Sequence, residues 1–551
     1  MSSVKELCTE AMRAFDNRAH LTSCWQDIAD NFWPEMSDFT AVRGPTTRYA
    51  DHLTTSVPCI VRREFCNTVQ HMLRPEGVPW FAMRTNNTKL DSNIEARRFM
   101  EANDEVMRRA MNDPKSKFDS ATKMVDVGFG TLGQWPMQVT PNRNGDRLLY
   151  RDWHLRDVAW RENSDRELDK VWRRWRIRAR ELQRMFPRNT SPKLDTLLKN
   201  NPDHEVNCLH IEMPADEYPM AGSRFDFVSV YVDCDNEFLM EAVGLPEISY
   251  IIPRWVQAGG SPYALSPVVV LALPDARLIQ AMTLVILESG EKSTNPPVLY
   301  REGALRGDLN LFAGGATSID PEFDKDGDGI RYMPVDRTGF QHGMALRQSV
   351  HDTLRQAFFL DKIDFLPNRG NGDVTREEIL QRVQQYVRAA SPLFSPMEAE
   401  YNGQLCVKTY NLLQRMGAFG APDEVPDVLK DKEVHFVFRS PLTEAIEQGK
   451  AAIFAQTRAM LAETAALDPA AAKMLDFQKA LRDSLIGAGT PASWLRTEDE
   501  MASIAEEQQQ ATQTQQLLTQ MGQGAEVAQK IGDAGQSLGA LQSAAPAGMG
   551  F

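Results

Sequence analysis

One long apolar stretch, residues 266–292, decides the architecture; it reads SPVVVLALPDARLIQAMTLVILESGEK. The sequence pattern changes from strand-like to helical at Ser266-Pro267. The helical pattern covers about 25 residues, a length of about 38 Å at 1.5 Å per residue. A Gly-, Pro- and Asp-rich stretch then runs over 293–340, and a second helical run returns over 341–361. The pattern predicts a hairpin-like protrusion of two helices with a small β-rich insertion between them.

The chain before this protrusion, residues 1–262, mixes two periodicities. Apolar residues recur at mostly helical spacing in three segments, 1–33, 51–74 and 91–112. Short apolar runs separated by turn residues predict strands over 124–179 and again over 225–256. We therefore expect a mixed α+β domain here.

After the protrusion, helical patterns dominate. Residues 364–373 (DFLPNRGNGD) predict a flexible loop, and helix is expected from 374 to 417. A short strand is predicted at Val434–Phe438. Residues 441–487 are an Ala-rich helix by composition, and 498–531 form a Gln-rich polar helix with a thin apolar stripe, followed by a Gly/Ala/Ser-rich tail.

Composition excludes several classes of protein. The 551 residues carry 61 Lys and Arg against 75 Asp and Glu, a net charge of −14. Tight non-specific wrapping of DNA needs surplus cations, so an acidic chain is a poor candidate for it. We expect no membrane span, because charges at Asp275 and Arg277 interrupt the most apolar stretch. The N-terminus lacks the apolar core of a signal peptide. The seven cysteines are scattered without a CxxC, which predicts free thiols, no zinc site and no disulfide framework.

The motifs of common enzymes are missing. The nearest approach to a phosphate-binding loop, Gly449-Lys450-Ala451, has Glu444 where the first glycine belongs and alanine where a hydroxyl should hold magnesium. There is no HExxH, and the nucleophile elbow is absent at 259–262. The sequence therefore predicts a protein that is not an enzyme and needs neither cofactor nor metal.

Residues 324–329 resemble the opening of a calcium loop, with carboxylates at Asp324, Asp326 and Asp328 before Gly329. The position that should hold the bidentate glutamate is Val335, so the main ligand is missing. An acidic β-turn in an exposed insertion is the favoured interpretation, and a weak cation site is the alternative.

A basic strand is the second chemical signal. Seven Lys and Arg fall within 170–184. In an extended strand Arg174, Arg176 and Arg178 share one face with Trp172, while the neighbouring residues share the other. Basic residues beside aromatics can bind nucleic acid. The favoured interpretation is that these residues form an exposed sheet face, or that their guanidinium groups pair with the carboxylates of a neighbouring subunit.

Several strings, in this order, resemble one family: the portal proteins, or head-to-tail connectors, of short-tailed bacteriophages. The strings are Trp25-Gln26-Asp27-Ile28-Ala29 before Pro34, Leu73-Arg74-Pro75, Pro79-Trp80-Phe81, Gly130-Thr131-Leu132, the basic strand running to Phe186, Tyr250-Ile251-Ile252-Pro253-Arg254-Trp255, Tyr263-Ala264-Leu265-Ser266-Pro267, Leu273-Pro274-Asp275, Asn295-Pro296-Pro297-Val298-Leu299, and a partial match at 373–378. The family usually has Tyr-Gly-Arg-Ser-Pro, so positions 264 and 265 depart from it. The resemblance covers roughly residues 10–510.

The resemblance implies an α+β, predominantly helical portal fold. It implies five kinds of region: a wing (1–262, with a long helix and return strand in 374–443), two stem helices (263–292 and 341–363), a β-rich clip (293–340), a tunnel loop (364–373), and a crown with a C-terminal barrel helix and flexible tail (444–551). The Gln-rich segment has three interpretations: a disordered segment, a single helix surrounded by solvent, or one helix of an oligomeric barrel. The resemblance favours the barrel.

The resemblance also implies a function. The chain would form a homo-oligomeric ring, usually of twelve subunits, at one capsid vertex of the virion, assembled in the host cytoplasm. Double-stranded DNA would pass through its channel during packaging and ejection. Its partners would be the terminase large subunit, the major capsid and scaffolding proteins, and the tail adaptor and nozzle proteins, with no membrane.

Three sets of residues would serve this function. Loop residues Asn368, Arg369 and Asn371 would touch DNA phosphates lightly, without reading sequence. The Arg174, Arg176 and Arg178 face would meet an acidic surface of the next subunit. The carboxylates of 324–328 would lie in the clip, which meets the packaging motor and later the tail adaptor. Two other classes stay open: a DNA-processing enzyme that uses the basic strand, and a capsid-associated adaptor that is not a ring.

Overall fold

The computed structural model describes most of the chain up to residue 438 and scattered positions beyond it. The described ranges are 4–40, 48–75, 79–91, 93–189, 191–218, 224–257, 259–312, 314–322, 330–334, 338–360, 397–420, 425–430 and 432–438, with single positions and short runs between 457 and 508. The predictions for the loop 364–373, for most of the helix 374–417, and for the Ala-rich and Gln-rich helices therefore fall outside the described residues.

The described residues contain α-helices and β-strands throughout the first 300 positions. The helices are α1 (Val4–Asp16), α2 (Ala19–Phe32), α3 (Val57–Leu73), α4 (Thr88–Asp91), α5 (Ile94–Met111), α6 (Phe118–Leu132), α7 (Ala179–Met185), α8 (Pro192–Asn200), α9 (Pro267–Thr294), α10 (Thr338–Ala357) and α11 (Gln404–Arg415), the last preceded by a π-helical turn at Glu398–Gly403. The mixture confirms the α+β class, with helix outweighing strand.

The strands are short and mostly lie in the first half. They are β1 (Phe81–Thr85), β2 (Met137–Pro141), β3 (Leu148–Asp152), β4 (Val158–Glu162), β5 (Leu168–Arg178), β6 (Glu205–Pro214), β7 (Phe227–Asp233), β8 (Phe238–Leu245), β9 (Tyr250–Ile251), β10 (Val256–Gln257), β11 (Ala264–Leu265), β12 (Val298–Tyr300), β13 (Ile330–Tyr332) and β14 (Val434–Phe438). The strand prediction at 434–438 is confirmed to the residue.

The chain divides into two compact units. The first comprises Met1–Ala82, Asp104–Gly420 and Phe436–Ile446, and the second comprises Met83–Asn103, Ala421–His435 and Glu447–Phe551. In the described part of the second unit, Arg98 of α5 forms an ion pair with Glu500 at 3.2 Å. All further structural description concerns the first unit.

A five-stranded antiparallel sheet, in the order β4-β5-β6-β7-β8, is the largest sheet among the described residues of the first unit. Alternation along the strands sends side chains to opposite faces. Helix α1 covers one face, where Leu7 and Ala11 join a buried cluster with Trp172, Ile211 and Val230. Helices α7 and α8 cover part of the other face through a second apolar cluster.

A three-stranded sheet, in the order β3-β2-β9, lies beside α6. Helix α6 is buried along most of its length, and its Gly128 lies so close to Trp135 that a Cβ there would come within 2.4 Å of the indole ring. Gly133 ends the helix with φ of 83°, in the left-handed region that favours glycine.

Two predictions about these elements are wrong. Residues 124–132 are not strand but the second half of α6: their glycines and β-branched residues disfavour helix locally, and burial on all sides overrides that preference. Residues 1–33 are not one helical run, because α1 ends at Asp16 and α2 begins at Ala19. The buried side chain of Arg18 lies at this break and donates to the carbonyl oxygens of Leu155 (2.9 Å) and Val158 (2.6 Å), so a long-range contact coincides with the break.

The helical protrusion is present close to its predicted bounds. Helix α9 covers 267–294 and α10 covers 338–357, against predictions of 268–292 and 341–361. Strands β12 and β13 pair antiparallel between them, with Val298 opposite Tyr332. The early residues of α10 lie beside the late residues of α9, since a Cβ at Gly343 would contact Ile286 at 3.3 Å, so the two helices run antiparallel.

Candidate functional site

The base of the protrusion is fixed by the N-terminus of α9. Ser266 is the N-cap residue: its Oγ accepts from the backbone N–H of Val269 at 3.4 Å and donates to the carbonyl oxygen of Gly130 at 2.8 Å. Pro267 stands at the first helical position, where a missing N–H costs nothing. The start of α9 is therefore buried against α6.

Polar contacts attach the next turns of α9 to the loop before α3 and to α2. Gln280 accepts from the backbone N–H groups of Thr54 (2.8 Å) and Thr55 (2.9 Å), and its Nε2 donates to the carbonyl oxygen of Thr55 at 2.9 Å. Arg277 forms an ion pair with Asp27 of α2. These contacts determine which side of α9 faces the rest of the unit.

The opposite side of α9 is apolar and uncovered. Leu271, Leu278 and Val285 recur every seven residues, and 72%, 46% and 63% of their surfaces are exposed. Val270 and Leu284, each next in sequence to a stripe residue, are exposed as well, and Leu287 is exposed on a different side of the helix. Side chains seven residues apart lie on one stripe of a helix, the geometry by which helices pack along one another. We call these three residues the apolar stripe.

The length and composition of α9 contradict the expectation that no segment could span a membrane. By those two criteria Pro267–Thr294 is long and apolar enough to do so, and 28% of its most apolar window is buried inside the chain. The sequence argument treated Asp275 and Arg277 as interruptions, but the helix continues through both. Arg277 is paired with Asp27 and Gln280 is bonded to a loop, so polar contacts already occupy one side of α9.

A groove of about 880 Å³ lies between the outer halves of α9 and α10. Four apolar side chains line it, those of Ile286, Leu287, Phe340 and Met344, together with polar and charged residues that include Glu291, Lys292 and Arg347.

The insertion at the end of the protrusion also exposes apolar side chains. Tyr300 of β12 and Tyr332 of β13 are 55% and 64% exposed, and Phe312 in the following loop is 69% exposed. An ion pair between Arg306 and Asp320 at 3.1 Å stabilises that loop. The predicted acidic turn with Asp324, Asp326 and Asp328 lies outside the described residues.

The basic strand is β5, and its alternation is as predicted. Arg174, Arg176 and Arg178 are exposed on one face, while Arg173 points to the other and is buried. Arg174 lies over the Phe15 ring at 4.4 Å, and Arg176 donates to Asn207 at 3.1 Å. Their guanidinium groups are thus partly occupied by contacts within the chain.

The aromatic residues of β5 are not available to stack on bases. Trp172 on the arginine face is buried under α1, with 4% of its surface exposed. On the other face the guanidinium of Arg173 lies between Trp175 (4.2 Å) and Trp153 (3.9 Å). This arrangement removes the main support for nucleic-acid binding by stacking and leaves the arginine face as a charged surface.

A buried polar network between the two sheets was not predicted. His210 of β6 lies 2.8 Å from the Tyr250 hydroxyl and 2.8 Å from the Ser229 hydroxyl. Arg173 donates to the same Tyr250 oxygen at 3.1 Å. Burial, reinforced by the charges of Arg173 and Arg151, holds the pKa of His210 well below its usual value, so the imidazole is neutral.

Glu212 is the carboxylate of this network. It accepts from the backbone N–H of Ser249 at 2.7 Å, and the Gln138 amide and the Ser249 hydroxyl lie against the same carboxylate. Burial raises the pKa of Glu212, although these hydrogen bonds and the charge of Lys408 oppose the shift. His210, Glu212 and Tyr250 are buried and are bonded to partners within the chain, so the network stabilises the fold.

Two buried arginines hold the chain at the π-helical turn before α11. Arg74 pairs with Asp126 of α6 and donates to Asn402 at 2.9 Å. Arg254 pairs with Glu162, and with Glu400 of the turn at 3.2 Å. Both arginines occur in strings that carry the family resemblance, Leu73-Arg74-Pro75 and Pro253-Arg254-Trp255, which was the only signal of their importance in the sequence.

Two of the three predicted residue sets cannot be located. Asn368, Arg369 and Asn371, like the carboxylates of 324–328, lie outside the described residues. Within the described ranges, no group of three or more His, Cys, Asp or Glu side chains could hold a metal ion.

Comparison with known proteins gives a consistent result. A family described as bacteriophage head to tail connecting protein matches residues 5–495. The portal protein of Salmonella phage epsilon15 is 21% identical over 520 residues, 93% of this chain and 92% of its own length. A probable portal protein of Bordetella phage BPP-1 is 23% identical over 434 residues, covering 77% of this chain and 76% of its own length.

Proposed function

The chain belongs to the bacteriophage head-to-tail connecting proteins, a structural family of the virion's head vertex, and from that premise we propose that it closes into a ring, with twelve copies as the expected number. Double-stranded DNA would enter and leave the capsid through the channel of this ring. The terminase large subunit would bind the ring during packaging, and tail adaptor and nozzle proteins would replace it afterwards.

The apolar stripe of α9 is the observation that carries the proposal. Leu271, Leu278 and Val285 leave a row of apolar surface uncovered on a helix whose other side is already attached to the chain. A row of that kind is costly in water and is buried when a second helix packs along it. A ring offers each subunit two neighbours through two different faces, and so covers the stripe in every copy.

We assign the described regions to the parts expected of a portal subunit. In this proposal the protrusion formed by α9 and α10 is the stem, the insertion 293–340 is the clip, and the sheets with α1–α8 form the wing. The tunnel loop 364–373 and the crown and barrel from 444 onward are proposed on the family resemblance alone. Capsid and scaffolding proteins would contact the wing side, and the clip would point away from the capsid interior.

The acidic composition suits a channel through which DNA must slide. Twelve copies would carry a formal charge of about −168. A negative wall repels the phosphate backbone and so prevents the duplex from adhering. Asn368, Arg369 and Asn371 of the loop would supply light contacts with phosphate.

The Arg174, Arg176 and Arg178 face is proposed as one side of a subunit contact. Arg174 and Arg178 keep about half of their side-chain surface exposed, at 53% and 51%. Arginine forks on an exposed strand can meet carboxylates of the next subunit. Reversal of all three charges to glutamate is expected to prevent ring closure, and rings of normal size from that variant would overturn this assignment.

The clip assignment has its own test. The segment between Tyr300 and Ile330 is replaced by a short Gly-Asn turn that keeps β12 and β13 paired. The variant is expected to form rings, because the stem and wing are intact, but heads that carry it should neither engage terminase nor attach tails. Genome packaging is measured as DNase-protected DNA in assembled heads. Packaging and tail attachment at wild-type levels would show that the insertion is not the docking part.

A further inference from the structure

Two thiols from distant parts of the chain meet where β7, an inner strand of the five-stranded sheet, ends. Cys8 of α1 and Cys234, directly after β7, have their sulfur atoms 2.9 Å apart although 226 positions separate them in sequence. Both side chains are intermediate in exposure, and both cysteines are free. No other pair of cysteine sulfurs within the described residues makes such a contact.

Neighbouring contacts hold both thiols in place. The backbone N–H of Cys234 donates to Asn207 of β6 at 3.0 Å, and the Asp233 carboxylate accepts from the backbone N–H of Asn236 at 3.0 Å, which closes the β7–β8 turn. On the other side, Lys170 donates to Glu10 at 2.7 Å and ties α1 to β5. The sulfur atoms are therefore brought together by two ordered elements and not by a loose loop.

Cys8 differs from the other six cysteines in its acidity, because the hydrogen bond between the two sulfurs, together with burial, raises the pKa of Cys234. The hydrogen bond from Cys234 lowers the pKa of Cys8, despite the opposing effects of burial and of nearby acidic residues. Burial raises the pKa of each of the other cysteines outside the pair: Cys24, Cys59, Cys66, Cys208 and Cys406. A thiolate is the attacking species in thiol–disulfide exchange, so Cys8 is the cysteine best suited to begin it.

We propose that Cys8 and Cys234 are a modification site: a pair that a small disulfide such as oxidised glutathione converts into a reversible cross-link between α1 and the β7–β8 turn. The Cys8 thiolate attacks the oxidant's disulfide, forms a mixed disulfide and releases one glutathione thiolate, which takes up a proton. The Cys234 thiolate then attacks the Cys8 sulfur and expels the second glutathione. Two protein thiols are oxidised, and one glutathione disulfide is reduced to two thiols.

The cross-link would fasten α1 over the apolar face that it covers. Leu7 and Ala11 of α1 shield Trp172 and the core of the sheet, so local detachment of α1 would expose that core. A virion leaves a reducing cell interior for an oxidising medium, and these are conditions under which such a bond forms and persists. The inference concerns the chemistry of the single chain and does not depend on ring formation.

The test uses the full-length chain, purified in its reduced state and then incubated with oxidised glutathione. Remaining thiols are alkylated and the protein is digested with trypsin without reduction. Mass spectrometry should detect peptide 6–13 joined to peptide 225–254, each of which holds one cysteine. The count of titratable thiols in the denatured protein should fall from seven to five and return to seven with dithiothreitol. Amide exchange in α1 should slow by about tenfold or more in the oxidised form.

Two variants make the result specific. Cys24→Ser removes another half-buried thiol, on α2, and is expected to leave the cross-linked peptide unchanged. Cys8→Ser must abolish it while circular dichroism shows an unchanged fold. The proposal is overturned if the oxidised wild-type chain keeps seven thiols. It is equally overturned if Cys8 and Cys234 each end as separate glutathione adducts, or if Cys234 is found joined to a different cysteine.

Discussion

The sharpest prediction concerns the apolar stripe on α9. Glutamine in place of Leu271, Leu278 and Val285 keeps the helix propensity close to that of leucine but removes the apolar surface. Full burial of one such side chain contributes about 1.5–3 kcal/mol. The three are 72%, 46% and 63% exposed, so covering what remains should contribute about 3–5 kcal/mol to each subunit contact.

That free energy corresponds to a fall of roughly a hundred- to several-thousandfold in the association constant of each contact. The triple variant should therefore stay monomeric at concentrations where the wild-type chain assembles, as measured by sedimentation velocity. Its own free energy of unfolding should fall by a smaller amount, about 2–3.5 kcal/mol, because less than half of the combined surface of the three side chains is buried in the single chain. Both effects follow from the same observation, the exposure of the stripe.

A matched control separates the stripe from exposed apolar surface in general. Met12, Ile60 and Met185 are 67%, 40% and 46% exposed on other helices. Their triple replacement by glutamine removes a comparable area and is expected to leave assembly unchanged. The reasoning is refuted if the stripe variant assembles at the wild-type concentration, or if the control variant loses assembly to the same degree.

Three further predictions concern stability, measured by urea unfolding of the unassembled chain. Arg74→Met should lower the free energy of unfolding by about 3–5 kcal/mol, because it leaves the Asp126 carboxylate buried without its partner. The double variant with Asp126→Asn should recover part of that loss. Equal stability of the single and the double variant would contradict this prediction. Burial lowers the pKa of His210. Below about pH 6.5 the histidine therefore binds a proton in the unfolded chain but not in the folded chain. The free energy of unfolding should fall by up to about 1.4 kcal/mol for each pH unit of acidification. Glutamine at position 210 should flatten this slope between pH 6.5 and 5.5, and an unchanged slope would rule out the assignment. Gly128→Ala should lower the free energy of unfolding by about 1–3 kcal/mol, because the new methyl group clashes with the indole ring of Trp135. Gly290→Ala should be neutral or stabilising, since no atom lies nearer than 3.8 Å to the added methyl group. Similar losses of stability in both variants would be inconsistent with this packing.

The sequence predicted the parts of the fold that local patterns determine. The protrusion of α9 and α10 was placed to within a few residues, because a long apolar run bounded by Gly- and Pro-rich segments permits few other structures. The alternation of β5 separated the exposed arginines from Arg173 correctly, since strand geometry alone decides which residues share a face.

Features that depend on distant contacts were not predictable. Residues 124–132 read as strand because α6 is a poor helix by composition and is kept helical by its packing. The pairs Arg74–Asp126 and Arg254–Glu400 join residues 52 and 146 positions apart, and no periodicity relates them. The estimate of the length of the apolar segment was wrong for a related reason: it treated charges within α9 as interruptions, whereas the helix continues and Arg277 has a partner on α2.

The most direct test of the account is the assembly state of the purified chain, measured by native mass spectrometry and by negative-stain electron microscopy on one sample. The account predicts closed rings with a central channel and a mass near twelve times that of one chain. A chain that stays monomeric over a wide concentration range, also with scaffolding protein supplied, would contradict the proposed ring and leave the apolar stripe of α9 without its explanation.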